Sequence, residues 1–172
     1  MKYQIPFDEK LYIEQTKLTF PYIFPKEYKK MKESLIISCI CFILGLSILI
    51  GGSELSTLFF VIGIFAIFDL YFKNEKYTGL KNDYTRNLKS LFKENEVTTT
   101  GIFELNDHCL RYSNDYLCNW TNWEDFQKYK IVKSNLLLIQ KENYGEVFVI
   151  GKSEVGEEDF QNILNFVHEK IK

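Results

Sequence analysis

One long apolar segment constrains this chain more than any other feature of its sequence. The 39 residues from Ser34 to Phe72 include two carboxylates, Glu54 and Asp69, and neither lysine nor arginine. The pair Gly51-Gly52 divides the segment into two runs of roughly 17 residues, each about 25 Å long as a helix. That length approaches the ~30 Å hydrocarbon core of a bilayer. Because membrane-spanning backbone must satisfy its own hydrogen bonds, we predict two transmembrane helices in a tight hairpin. The alternative is a helical hairpin buried in a globular core.

Positive charges flank this segment on both sides and are absent from the turn within it. The flanking lysines are Lys26, Lys29, Lys30, Lys32, Lys73, Lys76 and Lys81. By the positive-inside rule, both termini are then cytoplasmic and only a short loop lies outside. We therefore predict a multi-pass membrane protein that has the lipid bilayer as one partner. Asp69, in the last turn of the second run, is expected to reach headgroup water or a flanking lysine such as Lys73.

Small residues within the two runs predict close packing between helices. Cys39, Cys41 and Gly45 lie in the first run, and Gly63 and Ala66 lie in the second. Small side chains let the backbones of membrane helices approach one another. The spacing leaves open whether these faces pair within one chain or between copies in a homo-oligomer.

The polar regions on either side of the apolar segment have different periodicities. In residues 1–33, short alternating stretches such as Tyr12–Phe20 are punctuated by prolines, which predicts one or two short strands. In residues 73–95, apolar side chains recur at spacings of three and four, which predicts an amphipathic linker helix continuing from the membrane. Its apolar positions are Tyr77, Leu80, Tyr84, Leu88 and Leu91. That face could serve a stalk, a coiled-coil seam or the domain core, of which the core is the commonest.

Residues 96–172 have the pattern of a β domain. The predicted strands are Val97–Leu105, His108–Ser113, Tyr116–Trp120, Phe126–Val132, Leu136–Gln140 and Glu146–Ile150. Short strands at this spacing, separated by turn residues, are typical of an antiparallel sheet or barrel. An amphipathic helix follows from about Gly156. Its apolar stripe is Phe160, Ile163, Leu164, Val167 and Ile171. We therefore predict an α+β chain in which a transmembrane hairpin precedes a cytoplasmic β domain with a closing helix.

Two short motifs in this region resemble a known family. The segment Trp123-Glu124-Asp125-Phe126, the strand end Val147–Lys152 and an acidic final helix are similar to the YcxB-like C-terminal domain family of small bacterial membrane proteins. The resemblance covers roughly residues 20–172 in layout. It implies a pleckstrin-homology-like (PH-like) domain at the bacterial inner membrane and no established enzymatic activity. Gly151 departs from the family pattern, in which a proline stands in an Ile-Pro-Lys-like strand end.

Cysteine positions argue against a disulfide in the β domain. If Asn114-Asp115 forms a two-residue hairpin turn, Cys118 lies opposite Arg111 and not opposite Cys109. Paired cysteines need facing Cβ atoms, so we expect both thiols to stay free. Four cysteines without a disulfide framework fit a reducing compartment.

Catalytic, metal and nucleic-acid roles have little support in the sequence. His108 and Cys109 are neighbours on a predicted strand and point to opposite faces, so they do not form a nucleophile–base pair. Together with Cys118 they also lack the paired spacings of a zinc site. Residues 96–172 hold 8 basic and 13 acidic side chains, a poor balance for binding nucleic acid. We therefore predict a non-enzymatic protein that binds neither cofactor nor metal.

Two groups of residues are candidates for contact with a partner. The first is the densest aromatic cluster of the chain and includes Tyr116, Trp120, Trp123 and Phe126. Aromatic residues are enriched at protein interfaces, although in a small barrel many of them belong to the core. The second is the acidic run Glu157, Glu158 and Asp159, which also suits the positive end of a helix dipole.

Three functional hypotheses follow from these candidates. In the leading one, the two spans hold a PH-like domain at the inner membrane, where it binds a protein partner through the aromatic cluster or an exposed strand edge. In the second, the chain is an immunity or defence protein whose acidic face neutralises a basic or membrane-active toxin. In the third, the domain senses lipid, against which its net negative charge weighs.

Overall fold

The computed structural model describes residues 1–52, 55–94, 100–114, 118–141 and 146–171. The chain forms two compact units, one comprising Phe24–Tyr84 and the other Met1–Ile23 with Thr85–Lys172. We call them the hairpin unit and the sheet unit. The elements, in chain order, are β1 (Lys2–Ile5), α1 (Glu9–Ile23), α2 (Pro25–Ile50), α3 (Ser56–Glu94), β2 (Gly101–Leu105), β3 (Cys109–Ser113), β4 (Cys118–Asn122), a 3-10 turn (Trp123–Asp125), β5 (Phe126–Val132), β6 (Asn135–Gln140), β7 (Val147–Gly151), α4 (Lys152–Val155) and α5 (Glu157–Lys170).

The hairpin unit contains two helices that are long and apolar enough to cross a membrane. In the most apolar stretch of each helix, only 17% of the residues in α2 and 11% of those in α3 are buried, whereas the core helix of a soluble protein is mostly buried. Gly51 and Gly52 form the turn after α2, whereas Ser53 and Glu54 lie outside the described residues.

Close packing between α2 and α3 occurs within one chain. A Cβ atom added at Gly45 would lie 3.2 Å from the ring of Phe60, and one added at Gly63 would lie 3.1 Å from the ring of Phe42. The two rings themselves are 6.1 Å apart between centroids. The two glycines therefore leave space for a pair of aromatic rings at the contact between the helices. The sequence predicted close packing at these small residues but left open whether it occurs within one chain or between chains.

A polar cluster joins the two helices at the other end of the apolar segment. Lys73 Nζ lies 2.6 Å from Asp69 Oδ2, which confirms the predicted pairing of that carboxylate. The Ser34 hydroxyl also donates to Asp69 Oδ2 at 2.5 Å. Helix α3 continues beyond the apolar segment to Glu94, so residues 73–94 of the predicted linker are helical. Within the hairpin unit, its buried Tyr77 lies with its ring centroid 5.8 Å from that of Tyr28.

The strand prediction for Tyr12–Phe20 is wrong, because this segment lies in helix α1. The Asp8 side chain starts the helix by accepting a hydrogen bond from the Leu11 amide at 3.1 Å. The buried positions of α1 then follow a helical spacing: Gln15, Thr16, Thr19 and Phe20. The alternating pattern in the sequence came from polar threonines and a glutamine that the fold buries. The short strand β1 is the one strand described before the apolar segment.

The sheet unit contains two antiparallel sheets with strand orders β1-β2-β3-β4 and β5-β6-β7. Among the described residues the sheets do not close into a barrel, so the coarse prediction of an α+β fold with an antiparallel sheet is confirmed and the barrel is not. The predicted apolar stripe of α5 is confirmed as well, since Phe160, Ile163, Val167 and Ile171 all join the core.

The register between β3 and β4 differs from the predicted one. Ser113 lies opposite Cys118 and Cys109 lies opposite Asn122. Four residues therefore separate the two strands, where a two-residue turn was expected. The prediction that both thiols stay free is confirmed despite the different register, because Cys109 and Cys118 form no disulfide.

Candidate functional site

The structure separates the predicted aromatic cluster into core and surface residues. Trp123 is 6% exposed and Phe126 is 3% exposed, and their ring centroids lie 5.7 Å apart in the core. The indole of Trp123 donates to the Asn106 carbonyl at 2.8 Å, which fixes its orientation. Trp120, by contrast, is 70% exposed on β4. Tyr116 lies outside the described residues.

Trp120 completes a row of outward-facing side chains that crosses all four strands of its sheet. Cross-strand pairs join Lys2 to Glu104, Glu104 to Arg111, and Arg111 to Trp120. Lys2 Nζ lies 2.7 Å from a Glu104 carboxylate oxygen, and Arg111 Nη1 lies 3.4 Å from the other oxygen. These cations, first of all the hydrogen bond from Lys2, lower the pKa of the Glu104 carboxyl. The row therefore carries alternating charge and ends on an exposed indole.

Strand β4 is the last strand of its sheet. Its inward residue Thr121 is buried, and its hydroxyl accepts a hydrogen bond from Gln140 Nε2 on β6 at 2.9 Å. Because alternate residues of a strand point to opposite faces, this anchor turns Trp120 outward. Among the described strands, none pairs with the outer edge of β4. The site thus combines a strand edge with an exposed aromatic side chain.

The acidic candidates lie at the start of α5 and are partly engaged inside the sheet unit. Glu157 forms an ion pair with Lys152, whose hydrogen bond lowers the pKa of that carboxyl. The Asp159 carboxylate faces Tyr3 and contributes, after burial, to raising the pKa of that phenol. Glu158 is exposed. Among the described contacts, none joins these three residues to Trp120.

A buried polar network on the other sheet was missed by the sequence reasoning. Gln15 is 6% exposed, and its Nε2 donates to Glu154 Oε2 at 2.6 Å and to Asn135 Oδ1 at 3.3 Å. The Gly151 amide donates to the same Glu154 oxygen at 2.6 Å. Burial raises the pKa of the Glu154 carboxyl, although both hydrogen bonds oppose that shift. The network joins α1 to the end of β7.

Gly151 is the residue that makes this network fit. A Cβ atom here would lie 2.7 Å from Glu154 Oε2, 2.8 Å from Gln15 Nε2 and 3.0 Å from Asn135 Oδ1. A proline would also remove the amide that donates to Glu154.

Beside the network, α1, the β5–β6 turn and α4 line an open cleft of about 770 Å³ with both polar and apolar residues. We call it the α1 cleft. Its lining residues are Leu11, Glu14, Gln15, Lys17, Leu18, Lys133, Ser134, Asn135, Lys152, Ser153 and Glu157. The cleft is lined by residues 11–18 and by residues 133–157, which are more than a hundred positions apart in the sequence. Sequence reasoning could not assemble it while α1 was interpreted as a strand.

Histidines and cysteines do not gather into a metal site in the part of the chain that the structure describes. His168 Nδ1 lies 2.8 Å from the Tyr129 hydroxyl, and the His108 amide donates to Asn106 Oδ1 at 2.9 Å. The geometry therefore offers a binding surface and an open cleft. Comparison of the chain with protein-family models, curated proteins and solved structures finds no match.

Proposed function

We propose that this chain is a membrane-anchored, non-enzymatic protein whose sheet unit binds a protein partner at the cytoplasmic face of a bacterial inner membrane. The observation that carries the proposal is the exposed Trp120 on the outer strand of the four-stranded sheet. Tryptophan is among the residues most often responsible for binding energy at protein interfaces. The two apolar helices of the hairpin unit support the membrane anchor.

We propose that the sheet unit has a PH-like architecture. Four strands in meander order, a second sheet of three strands and a C-terminal helix that covers the core support this assignment. The Trp123–Phe126 segment, whose two aromatic residues belong to the core, is one of the motifs by which the chain resembles the YcxB-like family. In this chain, α1 and the membrane hairpin are inserted between β1 and β2.

The proposed mechanism is recruitment by a tethered domain. A partner segment in extended conformation would add to the edge of β4 through backbone hydrogen bonds. The Trp120 indole would then cover an apolar side chain of that segment, while Arg111 beside it selects its charge. Anchoring both molecules in one membrane raises their effective concentration, so a modest affinity suffices.

Photo-crosslinking tests this proposal. A photo-reactive amino acid replaces Trp120 in the full-length protein in its native membrane, and crosslinked products are identified by mass spectrometry. The matched control places the same group at Ile131, which is 55% exposed on β5, the outer strand of the other sheet. We expect one recurrent protein at position 120 that is absent at position 131. Crosslinks to lipid alone, or equal yields at the two positions, would refute the proposed surface.

The toxin-neutralising alternative has weaker support from the structure. All three acidic residues are exposed, but Glu157 is paired with Lys152 and Asp159 faces Tyr3, so two of them already have partners inside the sheet unit. Such residues at a helix start are accounted for by the helix dipole. If the crosslinked partner proves to be a basic toxin, a Glu158→Lys variant that still binds it would separate the Trp120 surface from the acidic face.

A further inference from the structure

The α1 cleft collects positive charge from three separate elements. Lys17 comes from α1, Lys133 from the β5–β6 turn and Lys152 from α4. Lys152 is paired with Glu157, whereas Lys17 and Lys133 form no ion pair with any residue that the structure describes. Glu14 is the other carboxylate of the lining. The three lysines of the lining therefore outnumber its two carboxylates by one, inside a unit that is acidic on average.

The turn that carries Lys133 is rigid. Lys133 and Ser134 both have positive φ angles, 49° and 61°, which is the geometry of a tight two-residue hairpin turn. The Lys152 amide donates to the Ser134 carbonyl at 2.9 Å and so ties the turn to the end of β7. A fixed turn holds its lysine at the rim without a further loss of backbone entropy on binding.

The floor of the cleft offers hydrogen-bonding groups of both kinds. The buried Gln15 amide uses its Nε2 for Glu154 and Asn135, while its Oε1 accepts no hydrogen bond from any described residue. The hydroxyls of Ser134 and Ser153 line the same space. A buried acceptor without a donor is costly, so a ligand hydroxyl that donates to Gln15 would be favoured.

We infer that the α1 cleft binds a hydroxylated phosphate monoester. Lysine ammonium groups and serine hydroxyls suit a phosphate dianion, and the free carbonyl of Gln15 suits an alcohol next to it. A volume of about 770 Å³ accommodates a small organic phosphate. This inference stands apart from the Trp120 surface and does not depend on a protein partner. The same chemistry occurs in soluble polyol phosphates and in the headgroups of phosphate-monoester lipids.

Calorimetry on the full-length protein in phosphatidylcholine nanodiscs tests the inference, with glycerol 3-phosphate as the probe. The test variant is Lys17→Gln with Lys133→Gln. The matched control is Lys128→Gln with Lys141→Gln, which removes the same charge at lysines that do not line the cleft. We expect saturable binding that the test pair weakens about tenfold or more and the control pair leaves nearly unchanged.

Two comparisons complete the experiment. Glycerate replaces the phosphate by a carboxylate, and binding as tight as that of the ester would overturn the assignment of a phosphate. No saturable binding, or equal loss in the two lysine pairs, would overturn the site itself. Nanodiscs containing phosphatidic acid distinguish the two sources. Weaker binding of the soluble ester there would support a lipid headgroup as ligand, and unchanged binding would support a soluble one.

Discussion

Strand β6 of the three-stranded sheet is covered on both faces, whereas the four-stranded sheet leaves one face open to solvent. In β6, Leu136 and Leu138 pack in the core against α5, and Leu137 is equally buried on the opposite face. Residues Asn135, Leu137 and Ile139 share that second face, where Asn135 contacts α1. On the four-stranded sheet, the corresponding outward row ends on Trp120.

This difference in coverage shows which apolar and aromatic residues are explained by packing and which call for a functional explanation. A strand covered twice carries a continuous apolar run, Leu136 to Ile139, and its residues are explained by packing alone. An open sheet face needs no large apolar side chain, so an exposed tryptophan there calls for another explanation. We therefore look for a partner at Trp120 and not at the equally aromatic Trp123.

A large expected effect tests the double coverage of β6. Leu137→Ala should lower the free energy of unfolding by about 2–5 kcal/mol, because the side chain is fully buried under α1. Arg111→Ala on the open face should cost far less, because its ion pair with Glu104 is exposed to solvent. Thermal unfolding of the solubilised full-length protein, followed by circular dichroism, measures both. Similar losses in the two variants would show that the two sheets are not covered differently.

The next effect concerns the polar junction between α1 and β7. Gly151→Ala should destabilise the protein by about 1–3 kcal/mol, because the added methyl overlaps Glu154 and Gln15. The matched control is Gly79→Ala in α3, where a Cβ atom meets nothing within 4 Å. That change should stabilise the helix by up to about 1 kcal/mol. Changes of the same sign in the free energy of unfolding of the two variants would contradict the described packing at Gly151.

A smaller and pH-dependent effect is expected at Glu154. Burial raises the pKa of its carboxyl, so the folded protein keeps a proton that the unfolded chain releases. The contribution of the Glu154 carboxyl to stability is thus greatest below the ordinary carboxyl pKa. It is lost as the pH rises through the higher pKa that this carboxyl has in the folded protein. Glu154→Gln should match the wild type in acid and exceed it at neutral pH. Unfolding measured across this range checks the sign, and a variant less stable at neutral pH would show that the ionised form is favoured.

The smallest expected effect on stability is that of Trp120→Ala, within about 0.5 kcal/mol, because the side chain is exposed. Trp123→Ala should instead cost about 3–5 kcal/mol, because that ring is buried. Unfolding of the two variants, measured side by side, assigns one indole to the surface and the other to the core. A large loss for Trp120→Ala would mean that this ring belongs to the fold.

Sequence patterns predicted those elements whose burial leaves a local signal in the sequence. The apolar stripe of α5 has a helical period, whereas β6 and the two apolar helices are continuous apolar runs, and the positions of all of them were anticipated. Helix α1 was missed because Gln15 and Thr16 are polar residues buried by long-range contacts with β6 and α4, which no local pattern reveals. For the same reason, the α1 cleft, which needs Lys17 and Lys133 together, could not be predicted. The aromatic cluster was visible, but its division into core and surface depended on the anchor at Thr121.

The measurement that tests the central claim most directly is the affinity of the partner captured at position 120 for purified full-length variants. Trp120→Ala should weaken binding about thirtyfold or more, which corresponds to the loss of one interface hot spot of about 2 kcal/mol. Ile131→Ala, which removes a similarly exposed apolar residue from the other sheet, should leave the affinity unchanged. Equal affinities of the Trp120→Ala variant and the wild type would contradict the proposal that this protein recruits its partner through the open edge of its four-stranded sheet.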